Sequence, residues 1–150
     1  MERCLECGCW VKSGSVCPGC GKFYISSGTV VKYAEDKLQV QCVQWFRMQH
    51  PQKIILHIPN GRGRFNIKQA TRLKRLGVLS GIPDLYIPEP FGGFHGLFIE
   101  LKAGRNKPTD AQQAMIDALR GRGYAVRVCY ALNEFMEAVN GYLKGEGGLR

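Results

Sequence analysis

Apolar residues recur at helical spacing from Ala34 onward. Leu38, Cys42, Trp45 and Phe46 share its stripe and predict a helix that Pro51 ends. The apolar run "KIILHI" (53–58) then predicts a strand, and "IPNGRGRF" a turn rich in Gly and Arg. "NIKQATRLKRL" reads as a basic helix, with Asn66 placed to cap it and Gly77 to stop it. "PDLYI" (83–87) is a short strand, "EPFGGFHG" a hairpin-like loop and "GLFIELKA" the next strand. Thr109 is placed to cap a helix that runs to Arg120, with Met115, Ile116 and Leu119 inward. A strand over 124–130, a helix over 133–143 and a frayed tail complete the chain.

Alternation inside "GLFIELKAG" (96–104) raises a specific question. On a strand, successive side chains point to opposite faces. Leu97, Ile99 and Leu101 therefore share one face, while Phe98, Glu100 and Lys102 share the other. The Cα atoms of Glu100 and Lys102 stand roughly 6 to 7 Å apart at about 3.3 Å of rise per residue. Taken alone, such a pair also suits a half-exposed strand with a solvated face.

The predicted order of elements is α-β-α-β-β-α-β-α. It implies an α/β protein with a small, partly parallel sheet between helices. A first helix, three consecutive strands, a helix and a fourth strand (αβββαβ) make its core. The basic helix is an insertion. A length of 150 residues, 45% hydrophobic and 10% aromatic, suffices for one such domain and a small appendage. No apolar run is long enough for a transmembrane helix, and the N-terminus lacks a secretory pattern. The expectation is a soluble, intracellular (cytoplasmic) protein.

Charge adds a partner to this picture. The net charge is +9, and no acidic residue occurs between Asp36 and Asp84. That stretch carries Lys37, Arg47, Lys53, Arg62, Arg64, Lys68, Arg72, Lys74 and Arg75, nine bases that equal the whole excess. A one-sign block sustains a positive field and fits a polyanion, nucleic acid foremost.

The cysteines set the N-terminus apart. Seven is an odd number, which speaks against a simple disulfide framework. "CLEC" (Cys4, Cys7) and "CPGC" (Cys17, Cys20) have the spacing of a tetrahedral Cys4 zinc site, and Cys9 is a spare that could replace Cys7. About thirty residues bury too little apolar surface to fold alone, so structural Zn²⁺ would contribute the folding free energy. The expected division is a zinc-ribbon-like module over 1–28 and a second domain over 29–150. Cys42 and Cys129 fall in apolar patterns, as buried thiols do.

Glu100 and Lys102 acquire meaning from Asp84, which opens the preceding strand within "GIPD". Pairing of the two strands would bring Asp84 and Glu100 together at one end. Two carboxylates offer hard oxygen ligands to Mg²⁺ or Mn²⁺. With a lysine beside them, they form a kit for phosphodiester hydrolysis, and the basic stretch provides a seat for a phosphate backbone.

These residues resemble a family. "GVLSGIPDLYIP", "FHGLFIELKAG" and "PTDAQQAMIDALRGRGYAV" look like a VRR-NUC domain of the PD-(D/E)xK nuclease superfamily, over about residues 33–143. The resemblance implies a restriction-endonuclease-like fold and Mg²⁺-dependent DNA cleavage, with Asp84, Glu100 and Lys102 as the catalytic set. It suggests, less firmly, Glu35 on the first helix as a further carboxylate. It also suggests Gln112 as a contact to substrate or to a metal-bound water. For Gln112 a second reading stands beside this, since Thr109-Asp110-Ala111-Gln112 is also a capping box. Asn60, Arg62 and Arg64 match the family's Asn-Gly stretch, and with Lys68, Arg72, Lys74 and Arg75 they are the expected DNA contacts. His57, alternating within an apolar strand, is expected in the core, and His95 is expected to be structural. A compact single nuclease domain would need a homodimer to cut both strands symmetrically. The rival reading is a non-catalytic nucleic-acid-binding adaptor. A third has the zinc module recruiting the chain to a replication or repair protein.

Overall fold

A computed structural model describes residues 2–3, 9–11, 15–19, 23–24, 34–59 and 67–145. The chain divides into two compact units, Met1–Lys53 and Ile54–Arg150.

In the first unit, β1 (Glu2–Arg3) pairs antiparallel with β2 (Trp10–Val11), and β3 (Ser15–Val16) pairs antiparallel with β4 (Phe23–Tyr24). Two-residue strands lie below the reach of a period-two pattern, and none of the four is legible in the sequence. Helix α1 (Ala34–Gln49) buries Leu38, Cys42, Trp45 and Phe46, the stripe its spacing predicts. Glu35 and Asp36 in its first turn and Arg47 in its last complement the helix dipole. The His50 N–H donates to the Phe46 carbonyl at 2.8 Å, and the His50 ring packs against Trp45 and Phe46 just before Pro51.

The second unit is built on a sheet of order β5-β6-β7-β8, formed by β5 (Leu56–His57), β6 (Leu85–Ile87), β7 (Leu97–Leu101) and β8 (Ala125–Cys129). The first three strands are antiparallel neighbours and the last pair is parallel. With α1 ahead of β5, this is the αβββαβ order of a mixed-sheet α/β protein. A parallel pair needs a crossover, and α3 (Asp110–Arg120) supplies it between β7 and β8. Helix α2 (Ile67–Arg75) is the insertion between β5 and β6, and it buries none of its residues. Helix α4 (Leu132–Lys144) follows β8 and buries Phe135, Val139 and Tyr142 at helical spacing. The Tyr142 hydroxyl donates to the Glu89 carbonyl and ties that helix to the loop after β6.

All five residues of β7 are buried. The strand is therefore covered on both faces, which removes the reading of Glu100 and Lys102 as a solvated face of a half-exposed strand. On one face Phe98 stacks on Tyr86 across the strand pair, at a centroid distance of 4.3 Å. It clusters there with Val126 and Ile116 of α3. Edge strand β5 is shorter than its apolar run predicts and leaves Ile54 and Leu56 exposed.

Cys129, at the end of β8, is buried as expected. Burial, reinforced by Glu134 and opposed by Arg127, pushes its thiol from 9.0 up to about 12. Above pH 9 the unfolded chain loses this proton while the folded chain keeps it, so stability falls as pH rises from 9 to 12. The slope is about 1 kcal/mol per pH unit. Urea melts at pH 8 and pH 10.5 should differ accordingly, and Cys129→Ala should flatten the difference.

Candidate active site

The β6–β7 register pairs Leu85 with Ile99, Tyr86 with Phe98 and Ile87 with Leu97. One further step places Asp84, the residue just before β6, opposite Glu100. Cross-strand neighbours of this kind hold their Cβ atoms about 5 Å apart. Both residues are buried, and so are Lys102 and Gln112. These four make up the buried polar and charged residues among those described.

Asp84 is fixed from both sides. Its Oδ2 accepts the backbone N–H of Leu101 at 2.9 Å, midway between Glu100 and Lys102 in sequence. Its carbonyl accepts the Ile58 N–H at 2.8 Å and lies 3.1 Å from His57 Nδ1. A carbonyl only accepts, so His57 Nδ1 carries the proton in that bond. This corrects the expectation for His57: the residue is exposed on the edge strand and braces the Asp84 backbone. His95 is exposed in its loop, where its N–H donates to Gly123 and its ring meets Tyr124 edge-on.

Glu100 projects on the Phe98 face, toward α3. Its Oε1 lies 3.1 Å from Lys102 Nζ and accepts Gln112 Nε2. Its Oε2 is buried and takes no hydrogen bond from a described residue. The Lys102 N–H donates to the Cys129 carbonyl at 3.0 Å and extends the β7–β8 pairing by one residue. The lysine is thus held on sheet backbone with only 6% of its surface exposed.

Gln112 resolves the choice between cap and site by serving both. Its N–H donates to Thr109 Oγ1, and its Oε1 accepts the Thr109 N–H at 2.9 Å, completing the capping box. The N–H of Thr109 requires an oxygen, which leaves the NH₂ end of the amide facing Glu100. A local helix-start motif therefore orients a donor into the site. The loop before Asp84 abuts the same turn. Gly81, with φ +83°, lies so close that a Cβ there would stand 2.6 Å from the Ala111 carbonyl oxygen. Sequence reasoning assigned Gly81 no role, although "GIPD" contained the signal.

The donor set suits a hard divalent cation. Two buried carboxyl groups, one of them beside the Lys102 ammonium, supply hard oxygen donors. Among the described residues no group of three or more His, Cys, Asp or Glu is placed to hold a metal. Two carboxylates with open positions are the kind of site Mg²⁺ occupies, its remaining ligands being water and substrate phosphate. A Ca²⁺ cage would need more protein oxygens.

Of the remaining expected site residues, Glu35 is half-buried in the first turn of α1, in the first unit. Lys68, Arg72, Lys74 and Arg75 are exposed on α2. Asn60, Arg62, Arg64, Cys4, Cys7 and Cys20 lie outside the described residues, whereas Cys17 is buried.

An αβββαβ order, a mixed sheet and two acids with a lysine at one end of its central pair define a restriction-endonuclease-like α/β protein. The VRR-NUC domain family matches residues 29–133, and the chain belongs to that nuclease-type family. A solved VRR_NUC domain protein is 30% identical, with a TM-score of 0.62, over 75% of this chain and 89% of that chain. No curated protein matches. The family match begins ahead of α1 and so includes that helix with the sheet. Among the described residues no helix is long and apolar enough to cross a membrane.

Proposed function

We propose that this chain is a metal-dependent DNA endonuclease that hydrolyses phosphodiester bonds through Asp84, Glu100 and Lys102. The observation that carries this reading is the buried convergence of two carboxylates from paired strands with the lysine on Glu100. Mg²⁺ or Mn²⁺ held by Asp84 and Glu100 would polarise the scissile phosphate and make a bound water more acidic. Lys102 Nζ brings three donors to the same oxygen neighbourhood, suited to orienting water or meeting charge on a phosphate oxygen. Gln112 holds the Glu100 carboxylate in one orientation through Oε1. The exposed bases of α2 and the acid-free stretch around them suit a phosphate backbone, and nicked, flapped or branched DNA is the substrate class tested first. The test is a panel of linear and branched DNAs with Mg²⁺ or Mn²⁺, wild type against Asp84→Asn and Lys102→Ala. If the wild type cuts none of them with either metal, the reading fails. Salt-sensitive binding without cleavage would replace it with the adaptor reading.

We propose further that the N-terminal segment is a structural zinc module distinct from the nuclease domain. Cys4, Cys7 and Cys9 fall in the connection between β1 and β2, and Cys17 and Cys20 in that between β3 and β4. Each C-x₂-C pair thus lies between antiparallel strands, the setting in which a metal can substitute for a core. The purified protein is expected to carry one Zn²⁺ per chain by elemental analysis, and Cys17→Ser to lose it. Parallel Cys7→Ser and Cys9→Ser variants show which of the two is the ligand. Absence of zinc from freshly purified protein removes the proposal.

A further inference from the structure

Asp84 carries its carboxylate on a length of backbone with little around it to hold it still. It stands one residue ahead of β6, behind a turn at 80–81, and Pro83 before it has no N–H to donate. On one side lies β7, whose Leu101 N–H fixes Oδ2. On the other lies β5, an edge strand of two residues, both exposed. So short a strand, with its side chains in water, gains little from packing, and hydrogen bonds have to keep it in place. Two of them end on a single atom. The Ile58 N–H and His57 Nδ1 both reach the Asp84 carbonyl oxygen, at 2.8 and 3.1 Å. A carbonyl oxygen has two lone pairs, and consecutive residues at the end of β5 use both.

We infer that His57 is a positioning residue for the cation-binding carboxylate of Asp84, acting through the Asp84 backbone. Register separates this role from a direct contact. His57 is opposite Leu85 and Leu85 is opposite Ile99, so these three share one face of the sheet. Asp84, Tyr86, Phe98 and Glu100 alternate onto the other face. The imidazole therefore starts on the face away from Glu100, and its Nδ1 meets Asp84 at the backbone. This bond staples the edge strand to the residue that offers the carboxylate. Without it, the end of β5 loosens from Asp84, and the torsions that aim the carboxylate regain freedom. Binding a cation then has to remove that freedom again, which lowers the affinity. Functional side chains need to be held within about 0.5 Å of their working geometry, so the rate falls as well. Affinity for DNA is untouched, because the bond fixes a cation ligand and no phosphate contact.

This inference rests on the reading of Asp84 as a metal ligand, and the experiment tells the two apart. Mn²⁺ binding to the full chain, without DNA, is followed by electron paramagnetic resonance. The binding that Asp84→Asn removes is assigned to the site. His57→Phe keeps a ring and loses the donor, and should weaken that binding about tenfold, equivalent to about 1.4 kcal/mol. His57→Ala, which also lacks the donor, should do the same. His57→Asn brings an N–H close to the position of Nδ1 and should return the affinity to near the wild-type value. Duplex DNA affinity at saturating Ca²⁺ should be equal in all of them, and thermal melting verifies that each variant is folded. Wild-type Mn²⁺ affinity in His57→Phe and His57→Ala overturns the inference and leaves the metal site to stand. So does an asparagine variant as weak as the phenylalanine one, the result expected if Nε2 met the cation or the DNA directly. If Asp84→Asn binds Mn²⁺ as the wild type does, the metal-ligand reading falls and this inference falls with it.

Discussion

Asp84→Asn should abolish DNA cleavage while leaving both the fold and the DNA complex in place. The substitution is nearly isosteric, and its amide oxygen still accepts the Leu101 N–H that Asp84 Oδ2 accepts at 2.9 Å. What it removes is one of the two negative charges that suit a divalent cation. The expected fall in rate is about 10³-fold or more, the scale seen when a group acting on the transition state is lost. Lys102→Ala should be equally inactive, for a different reason and with a different signature. It removes the ammonium 3.1 Å from Glu100 Oε1, and breaking a buried ion pair from one side costs about 3 kcal/mol of stability. Lys102→Met combined with Glu100→Gln neutralises both partners, so stability should return while cleavage does not. Initial rates with Mg²⁺ and Mn²⁺, dissociation constants with Ca²⁺ and thermal melts distinguish these cases. Wild-type cleavage by Asp84→Asn would sink the assignment.

How far the site was legible depends on the range of the interaction concerned. Asp84, Glu100 and Lys102 could be found because a strand alternates with period two and neighbouring strands pair, so two short apolar runs imply a cross-strand meeting. Burial was less accessible. The pattern Leu97–Leu101 suits a half-solvated strand as well as one covered on both faces, and only the α3 crossover settles which. Gln112 shows the same limit from the other side. Its capping box is local and reads from four consecutive residues, whereas its contact with Glu100 spans twelve residues and the turn after β7. The two readings compete in the sequence and coexist in the fold, because the cap uses one end of the amide and the site the other. His57 misled through its apolar neighbours. Ile54 and Leu56 look like core residues, but β5 is an edge strand with two paired residues, and its alternation carries no burial.

Gly81→Ala should destabilise the second unit by roughly 3 kcal/mol and impair cleavage beyond what that loss explains. Two terms add. The φ of +83° places an L-residue in the left-handed region at a cost of about 1–2 kcal/mol. The added Cβ then meets backbone, 2.6 Å from the Ala111 oxygen, 2.8 Å from its carbon and 3.1 Å from the Gln112 nitrogen. Backbone cannot rotate away as a side chain does, so either the "GIPD" loop or the first turn of α3 has to move. Movement of the loop carries Asp84, and movement of the helix start carries the Gln112 amide off Glu100. Gly77→Ala is the control. Its φ is +95°, yet nothing lies within 4 Å of the added Cβ, so it should show the backbone term alone. Denaturant midpoints for the two variants isolate the contact by difference. Cleavage rates at a temperature where both remain folded isolate its effect on the site. Equal midpoints would mean that Gly81 is kept for its backbone angle only. A larger loss confined to Gly81→Ala ties the strand that carries the aspartate to the helix that orients the glutamate's partner.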